Sequence, residues 1–420
     1  MALRIVATRP NPALVTLPWH LPLADWGDDV VVQLPRGLSR HVVRIVRLGQ
    51  DVYAVKETRE RWAFREYRLL RDLRRLGMPT VEPVGVVAGR VGRDGEEIEP
   101  CLVTRHLHFS LPYRSLFSHG LPTESMPNLI DALVVLLVRL HLAGFFWGDV
   151  SLSNVLFRRS AGAFTAYLVD AETGEFHQTL SEGQRHYDLE LASTNIFGEL
   201  MDLQAGGLLS EDFDPWEVGA AAHERYDALW RELTGVEEFT TDEMWRLEQR
   251  IERLNDLGFD IDELDIVTDW DGSTVRVQPK VVEAGHHSRE LQGLTGLSVE
   301  DNQARRLLND LASYTAHHGL NGEDRTLVAH KWLTTVYEPV TKMIPPEMRG
   351  RLEPPEVFHE VLEHRWYLSE QAGEEVDILD AARSYVQSEL TQRPEEAIAA
   401  PGPSPLPETA GDVEQPPRPS

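Results

Sequence analysis

An α+β chain of two lobes, continued by a mostly α-helical region and a disordered tail, is what this 420-residue sequence predicts. Three observations carry the expectation. Short β-rich runs surround one helix-forming stretch within residues 25–107. An apolar helical run, Asn128 to Ala143, then leads into Asp149, Asn154 and Asp170, which sit on loops beside two further β-rich runs. Beyond about residue 210 the texture turns to long, charged, amphipathic segments.

The elements follow in order. Residues 1–24 read as an N-terminal extension. Val30 to Leu34, His41 to Leu48 and Val52 to Lys56 are β-rich and separated by Pro35–Arg40 and by Gly49-Gln50-Asp51, which predicts a three-stranded meander. Residues 58–76 lack breakers and repeat Trp62, Leu69, Leu70, Leu73 and Leu76 at helical spacing, with Gly77 and Pro79 as stop signals. Val84 to Ala88 and Pro100 to Thr104 are two more strands around an Arg93-Asp94-Gly95 turn. A second lobe core spans 108–210, with the 128–143 helix stopped at Gly144, strands at Asn154–Phe157 and Ala166–Val169, and a helix over 187–204. Region 211–392 reads as mostly helical, over 215–234, 240–257, 298–317, 325–343 and 355–390. One hairpin interrupts it around Asp269-Trp270-Asp271-Gly272. From 393 to 420 the chain is Pro-rich, acidic and free of aromatics, which predicts disorder.

Composition narrows the function. A formal net charge of −27 argues against a nucleic-acid partner, because a phosphate backbone would be repelled overall. The single Cys101 excludes an internal disulfide framework and fits a reducing cytoplasm. The N-terminus has no apolar stretch behind a basic region, so no signal peptide is expected, and Leu129 to Phe146 is too short and too charged to span a bilayer. A cytoplasmic protein is expected. Lysine is scarce: Lys56, Lys280, Lys331 and Lys342 are the only four, and Lys56 ends the strand Val52-Tyr53-Ala54-Val55.

The chemistry lies between 56 and 170. Phosphoryl transfer needs a group to take the acceptor's hydroxyl proton, two oxygen ligands for Mg²⁺, and a cation on the α- and β-phosphates. Asp149 suits the first role, Asn154 and Asp170 the second, and Lys56 the third. Glu66, ten residues on and inside the helix, is the expected partner of Lys56, since Glu57 and Glu60 lie too early to face back. Strands, one helix and more strands ahead of Asp149 match the small lobe of a two-lobed protein-kinase-like fold. A nucleotide-covering loop would fall at Arg36–Arg40, where Gly37 and Ser39 would contact phosphate; the same residues also read as a plain hairpin turn. Adenine is expected near Arg105–Leu107. Asp188 is a candidate brace of the Asp149 loop or a helix N-terminal acid. His359 and His364 stand five apart and diverge by roughly 140° on a helix, so they do not share a zinc.

His141-Leu-Ala-Gly144-Phe-Phe-Trp147-Gly148-Asp149-Val-Ser151-Leu-Ser-Asn154-Val-Leu resembles the H-x-x-G…H-G-D-L-S-x-x-N-I-L segment of atypical bacterial kinases. These are the lipopolysaccharide-core (Kdo and heptose) kinases, the RIO-type kinases and the aminoglycoside phosphotransferases. The whole chain is similar to an actinobacterial family in which such a domain precedes a domain of unknown function. The resemblance implies an ATP- and Mg²⁺-dependent phosphotransferase with Asp149 catalytic, Asn154 and Asp170 metal-binding, and Lys56 and Glu66 positioning phosphate. Its acceptor is a hydroxyl on a small molecule, glycan or protein. Trp147 stands where these families have His or Tyr, and Asp170-Ala171-Glu172 replaces Asp-Phe-Gly, which points away from a phosphorylation-switched protein kinase. The alternative is a nucleotide-binding pseudokinase or scaffold whose helical half binds a protein partner.

Overall fold

The computed structural model describes residues 2–9, 11–28, 30–32, 41–49, 51–118, 121–240, 243, 245–268 and 274–396. Gly37, Ser39, the 269–272 turn and the tail from 397 onward lie outside them.

The first lobe is one antiparallel sheet of β1 (Arg4–Ala7), β2 (Val43–Leu48), β3 (Asp51–Glu57), β4 (Glu82–Ala88) and β5 (Cys101–Arg105), in the order β1-β4-β5-β3-β2. Helix α1 (Glu60–Arg75) lies against it. Alternation along the strands decides what each side chain meets. Leu102 and Val86 turn toward α1 and the lobe interior, while Val103, Cys101 and Val87 turn outward. Lys56 pairs directly with Leu102, so it shares the inward face; Val55 shares the outward one with Val103. A one-residue slip would send the ammonium to the wrong side.

That outward face is not bare. Leu14, Leu17, Trp19, Leu23 and Trp26 cover it, and β1 extends the sheet along β4. The described residues of 1–24, expected as an extension, thus pack as part of the lobe. The strands demanded this, because β4 and β5 are apolar on both faces and need two covers. The expected strand at Val30–Leu34 is reduced, among the described residues, to a bridge between Val31 and Val46.

In the second lobe α2 (Met126–Leu142) is buried along most of its surface. The window Thr123–Leu142 is long and apolar enough to cross a membrane by composition, with a mean hydropathy of 1.5, but 61% of it is buried inside the protein. After α2 come the hairpin β6 (Val155–Ser160) and β7 (Ala163–Leu168), then α3 (Glu182–Ala205) and α4 (Pro215–Thr234). Helix α3 starts five residues before the sequence pattern suggested, because Ser181 and Gln184 form a reciprocal capping box. Ala222, Tyr226 and Leu233 of α4 belong to the same core as α2 and α3, so this helix packs in the lobe although its sequence texture is that of the region after 210.

A three-stranded sheet follows, made of β8 (Glu237–Thr240), β9 (Phe259–Thr268) and β10 (Thr274–Ala284), with α5 (Trp245–Asp256) beside it. Beyond this sheet run α6 (His286–Thr295), α7 (Asp301–His317), α8 (Arg325–Trp332), α9 (Glu338–Lys342), α10 (Pro354–Ala372) and α11 (Ile378–Ser388). They enclose a separate core that includes Leu291, Leu307, Trp332, Phe358 and Tyr385. Helix α6 had no sequence counterpart; left-handed glycines, Gly285 and Gly296, bound it. Arg393 and Glu396, expected at the start of the disordered tail, are held instead by Glu360 at 2.7 Å and Arg159 at 2.8 Å.

Candidate active site

Between the lobes lies a cleft of about 1060 Å³ lined by Lys56, Glu66, Asp149, Asn154 and Asp170, together with Arg105, His106 and Leu107. The five side chains given phosphate, metal or proton-transfer roles from sequence, and lying within the described residues, therefore line one cleft.

Lys56 reaches the cleft from the end of β3. Its three ammonium protons meet three carboxylates: Glu66 at 3.0 Å, Asp170 at 2.7 Å and Glu172 at 3.2 Å. Glu66 comes from the buried stripe of α1, among Ala63, Tyr67, Leu70 and Leu73, and is only 1% exposed. An acid within an apolar stripe is costly unless paired, and Lys56 supplies the pair. Glu172 was not singled out from sequence; its position two residues beyond Asp170 was the available signal. Carboxylate oxygens of Glu66, Asp170 and Glu172 all lie within 4.8 Å of one another.

Burial opposes the charge of Lys56, but Glu66 and Asp170 outweigh it and hold the ammonium firmly protonated. Burial pushes the Glu66 carboxyl up to about 8; Asp170 adds to the push and Lys56 counters it. A cluster of three acids around one cation is acid-rich, so a proton retained on the most buried acid is the expected state without metal. The folded protein then binds more protons than the unfolded chain between the ordinary Glu value, about 4.3, and about 8. Stability must fall as pH rises through that window. Glu66→Gln removes the titration. In metal-free buffer the melting temperature of wild type should drop, relative to Glu66→Gln, between about pH 5 and about pH 8. Parallel melting curves across that range would disprove the assignment.

Asp149 sits in the loop after α2, where the chain turns back at Gly144. That glycine has φ +74°, and a Cβ there would lie 2.2 Å from the carbonyl oxygen of His177. The amide nitrogen of Asn154 donates to the Asp149 carbonyl at 2.9 Å and to its carboxylate at 3.1 Å. This leaves the Asn154 amide oxygen for a hard cation.

Three side chains, Asp188, Glu199 and Asn195, hold the loop from behind. Asp188 of α3, fully buried, accepts from the N–H of Trp147 at 2.8 Å and of Gly148 at 2.7 Å, and pairs with His141 Nε2 at 3.1 Å. Burial depresses the His141 pKa despite that acid. The neutral ring donates Nε2–H to Asp188 and accepts the Tyr226 hydroxyl proton at Nδ1, 2.7 Å away. Glu199 accepts from the N–H groups of Leu152 and Ser153, each at 2.8 Å, and Asn195 donates to the Val150 carbonyl at 2.9 Å. Sequence reading found Asp188 but missed Glu199, Asn195 and Tyr226. Trp147, the residue that departs from the family pattern, is buried, and its indole N–H donates to the Asp170 carbonyl at 3.0 Å. It ties the Asp149 loop to the Asp170 segment.

At the other end of the cleft, burial and the neighbouring His108 lower the His106 pKa to about 4, so this ring is neutral near pH 7. His359 and His364 go to different partners, Glu363 at 3.4 Å and Ser384 at 2.9 Å.

No curated protein matches the chain. A solved structure, "WaaP in complex with acyl carrier protein", is similar over 60% of this chain and 99% of that chain, with 16% identity and a TM-score of 0.35. Residues 40–194 match the model of the lipopolysaccharide kinase (Kdo/WaaP) family, and residues 228–390 match a domain of unknown function, DUF4032. The first match spans Lys56, Glu66, Asp149, Asn154, Asp170 and Asp188. The two-lobed chain thus holds a kinase-like region similar to the lipopolysaccharide kinase (Kdo/WaaP) family, ahead of a region that matches DUF4032.

Proposed function

We propose that the chain is an ATP- and Mg²⁺-dependent phosphotransferase that moves the γ-phosphoryl group of ATP to a hydroxyl acceptor. The observation that supports this reading is the convergence of Lys56, Glu66, Asp149, Asn154 and Asp170 on one cleft. Its volume is ample for a nucleoside triphosphate. Asn154 and Asp170 offer the oxygen donors that Mg²⁺ prefers, with Glu172 beside them. When bound, Mg²⁺ supplies neutralising charge at the β- and γ-phosphates.

The chain's own groups do the rest. Lys56, fixed by Glu66, turns its ammonium to the α- and β-phosphates. Asp149 accepts a hydrogen bond from the acceptor hydroxyl and takes its proton as the new O–P bond forms. The bond from the γ-phosphorus to the β-γ bridging oxygen breaks, and ADP leaves with that oxygen. The apolar side chains of Val81, Leu102, Leu156 and Val169 line the cleft and suit a nucleobase. The acceptor is a hydroxyl of a small molecule, a glycan or a protein.

Thermal shift with ATP, with and without Mg²⁺, followed by an ATP-turnover assay, tests the reading. Metal-dependent stabilisation together with ADP release supports it. No response to ATP in either condition would overturn it. Stabilisation without turnover or transfer to any acceptor would favour a nucleotide-binding scaffold whose helical half binds a protein.

A further inference from the structure

The β6–β7 hairpin has two ends with different duties. At its open end Val155 pairs with Leu168, one residue after Asn154 and two before Asp170. At its tip the chain turns through Ala161 and Gly162, with φ values of +50° and +78°. Two successive left-handed residues match the right-handed twist of a two-residue hairpin turn, but Ala161 carries a Cβ and is strained there. Such strain persists only where the surroundings over-determine it.

The surroundings come from the C-terminal half. Glu356 accepts the Ala161 N–H at 2.8 Å, and Gln303 joins Glu356, at 2.9 Å, to the Arg159 carbonyl, at 3.2 Å. Arg158 pairs with Glu300 at 2.9 Å and with Glu353. These two acids are the N-cap residues of α7 and α10, where a helix dipole favours negative charge. One guanidinium therefore ties two helix starts to one strand. From the neighbouring strand, the Tyr167 hydroxyl donates to Glu300 at 2.6 Å. Gln303 and Glu356 are buried, so these polar groups depend on one another for partners. The hairpin's third strand is only Ser110–Leu111, and a two-stranded ribbon has little stiffness of its own.

We propose that the C-terminal helical half sets the tilt of this hairpin, with Arg158, Tyr167, Glu300, Glu353 and Glu356 as positioning residues for Asn154 and Asp170. The proposal rests on the reading that Asn154 and Asp170 hold Mg²⁺. A lever about 20 Å long, six residues of strand, links the gripped tip to the two oxygens. Mg²⁺ tolerates little departure from octahedral geometry, so a loosened tip degrades metal binding before it degrades nucleotide contacts made through Lys56.

The test uses the full chain as wild type, Arg158→Glu, Glu353→Arg, the double variant R158E/E353R, and Tyr167→Phe. For each, ATP-dependent thermal stabilisation is titrated with Mg²⁺, then ATP is titrated at saturating Mg²⁺. The single charge reversals are expected to raise half-saturating Mg²⁺ by about 10–100-fold, as loss of groups orienting metal ligands does, with a much smaller change for ATP. The double variant, which restores the pair with residue 353 in reverse but leaves Glu300 without its arginine, brings the Mg²⁺ value part of the way back toward wild type. Tyr167→Phe removes one hydroxyl, keeps the packing, and shifts the Mg²⁺ value in the same direction by less; it decides the matter if the reversals fail to fold. Melting temperatures without ligand show how much of any change is plain destabilisation. A wild type that responds to Mg²⁺, with variants that respond at the same concentration, overturns this inference alone. A wild type with no Mg²⁺ response overturns the phosphotransferase reading and this inference with it.

Discussion

Asp149→Asn is expected to lower phosphoryl transfer by about 10²–10⁴-fold, the usual worth of a positioned acid–base group, while Mg²⁺-dependent stabilisation by ATP persists. The asymmetry follows from the proposed division of labour. An asparagine amide occupies the same volume and still presents an oxygen, so the hydrogen bond from the Asn154 amide, 3.1 Å in wild type, keeps its acceptor. The loop's backbone ties run through Asp188, Glu199 and Asn195 and do not involve the Asp149 carboxylate. What the variant loses is a group able to take a proton from the acceptor hydroxyl. The loss should therefore fall on kcat, with the ATP concentration for half-saturation little changed. Equal loss of nucleotide binding and turnover would assign Asp149 to holding the nucleotide instead. Full retention of transfer would remove it from the reaction.

Lys56, Glu66, Asp149, Asn154 and Asp170 were legible because each stands at a locally encoded position. Lys56 ends a strand, Glu66 lies in a helix with clear periodicity, and Asp149, Asn154 and Asp170 keep fixed offsets from a helix stop and two β-rich runs. Local pattern also gave α1, α2, β4 and β5 nearly to the residue. What escaped was set by distance along the chain. Residues 11–26 have little periodicity, and only the doubly apolar strands Glu82–Ala88 and Cys101–Arg105 hint that a second cover is needed. Tyr226 reaches His141 across 85 positions, and Glu199 reaches Leu152 across 47. Such pairings depend on helix packing angles that no short motif encodes. Pro215–Thr234 is the helix expected over 215–234, but its charged texture gave no sign of which core it joins, because a helix on the rim of a lobe is half polar whichever domain owns it. The grip on the β6–β7 tip is equally invisible in sequence: Arg158 and Arg159 read as two more arginines in an arginine-rich chain until Glu300, Glu353 and Glu396 are seen beside them.

Asp188→Ala should destabilise the protein by about 3–5 kcal/mol, with a fall in melting temperature on the order of 10 °C. The Asp188 carboxylate is fully buried, and its two oxygens satisfy three donors: the N–H groups of Trp147 and Gly148, and His141 Nε2. Alanine leaves all three without an acceptor where water has little access, and each orphaned donor costs about 1–3 kcal/mol. The His141 ring then loses the acid that opposes its desolvation, so its depressed pKa should fall further and the ring stay neutral. Gly148, at φ +74° and next to Asp149, depends on this brace for its orientation. Transfer should therefore fall more steeply than stability alone explains, and it should stay low even at temperatures where the variant is folded. Asp188→Asn separates the two effects. One amide oxygen can still accept from a backbone N–H, but the amide nitrogen faces a second donor, so the loop is held at one point instead of two. Melting and turnover measured on both variants give the answer. If Asp188→Ala melts within about 1 °C of wild type, the three donors have found other partners, and the claim that α3 braces the Asp149 loop through Asp188 is wrong.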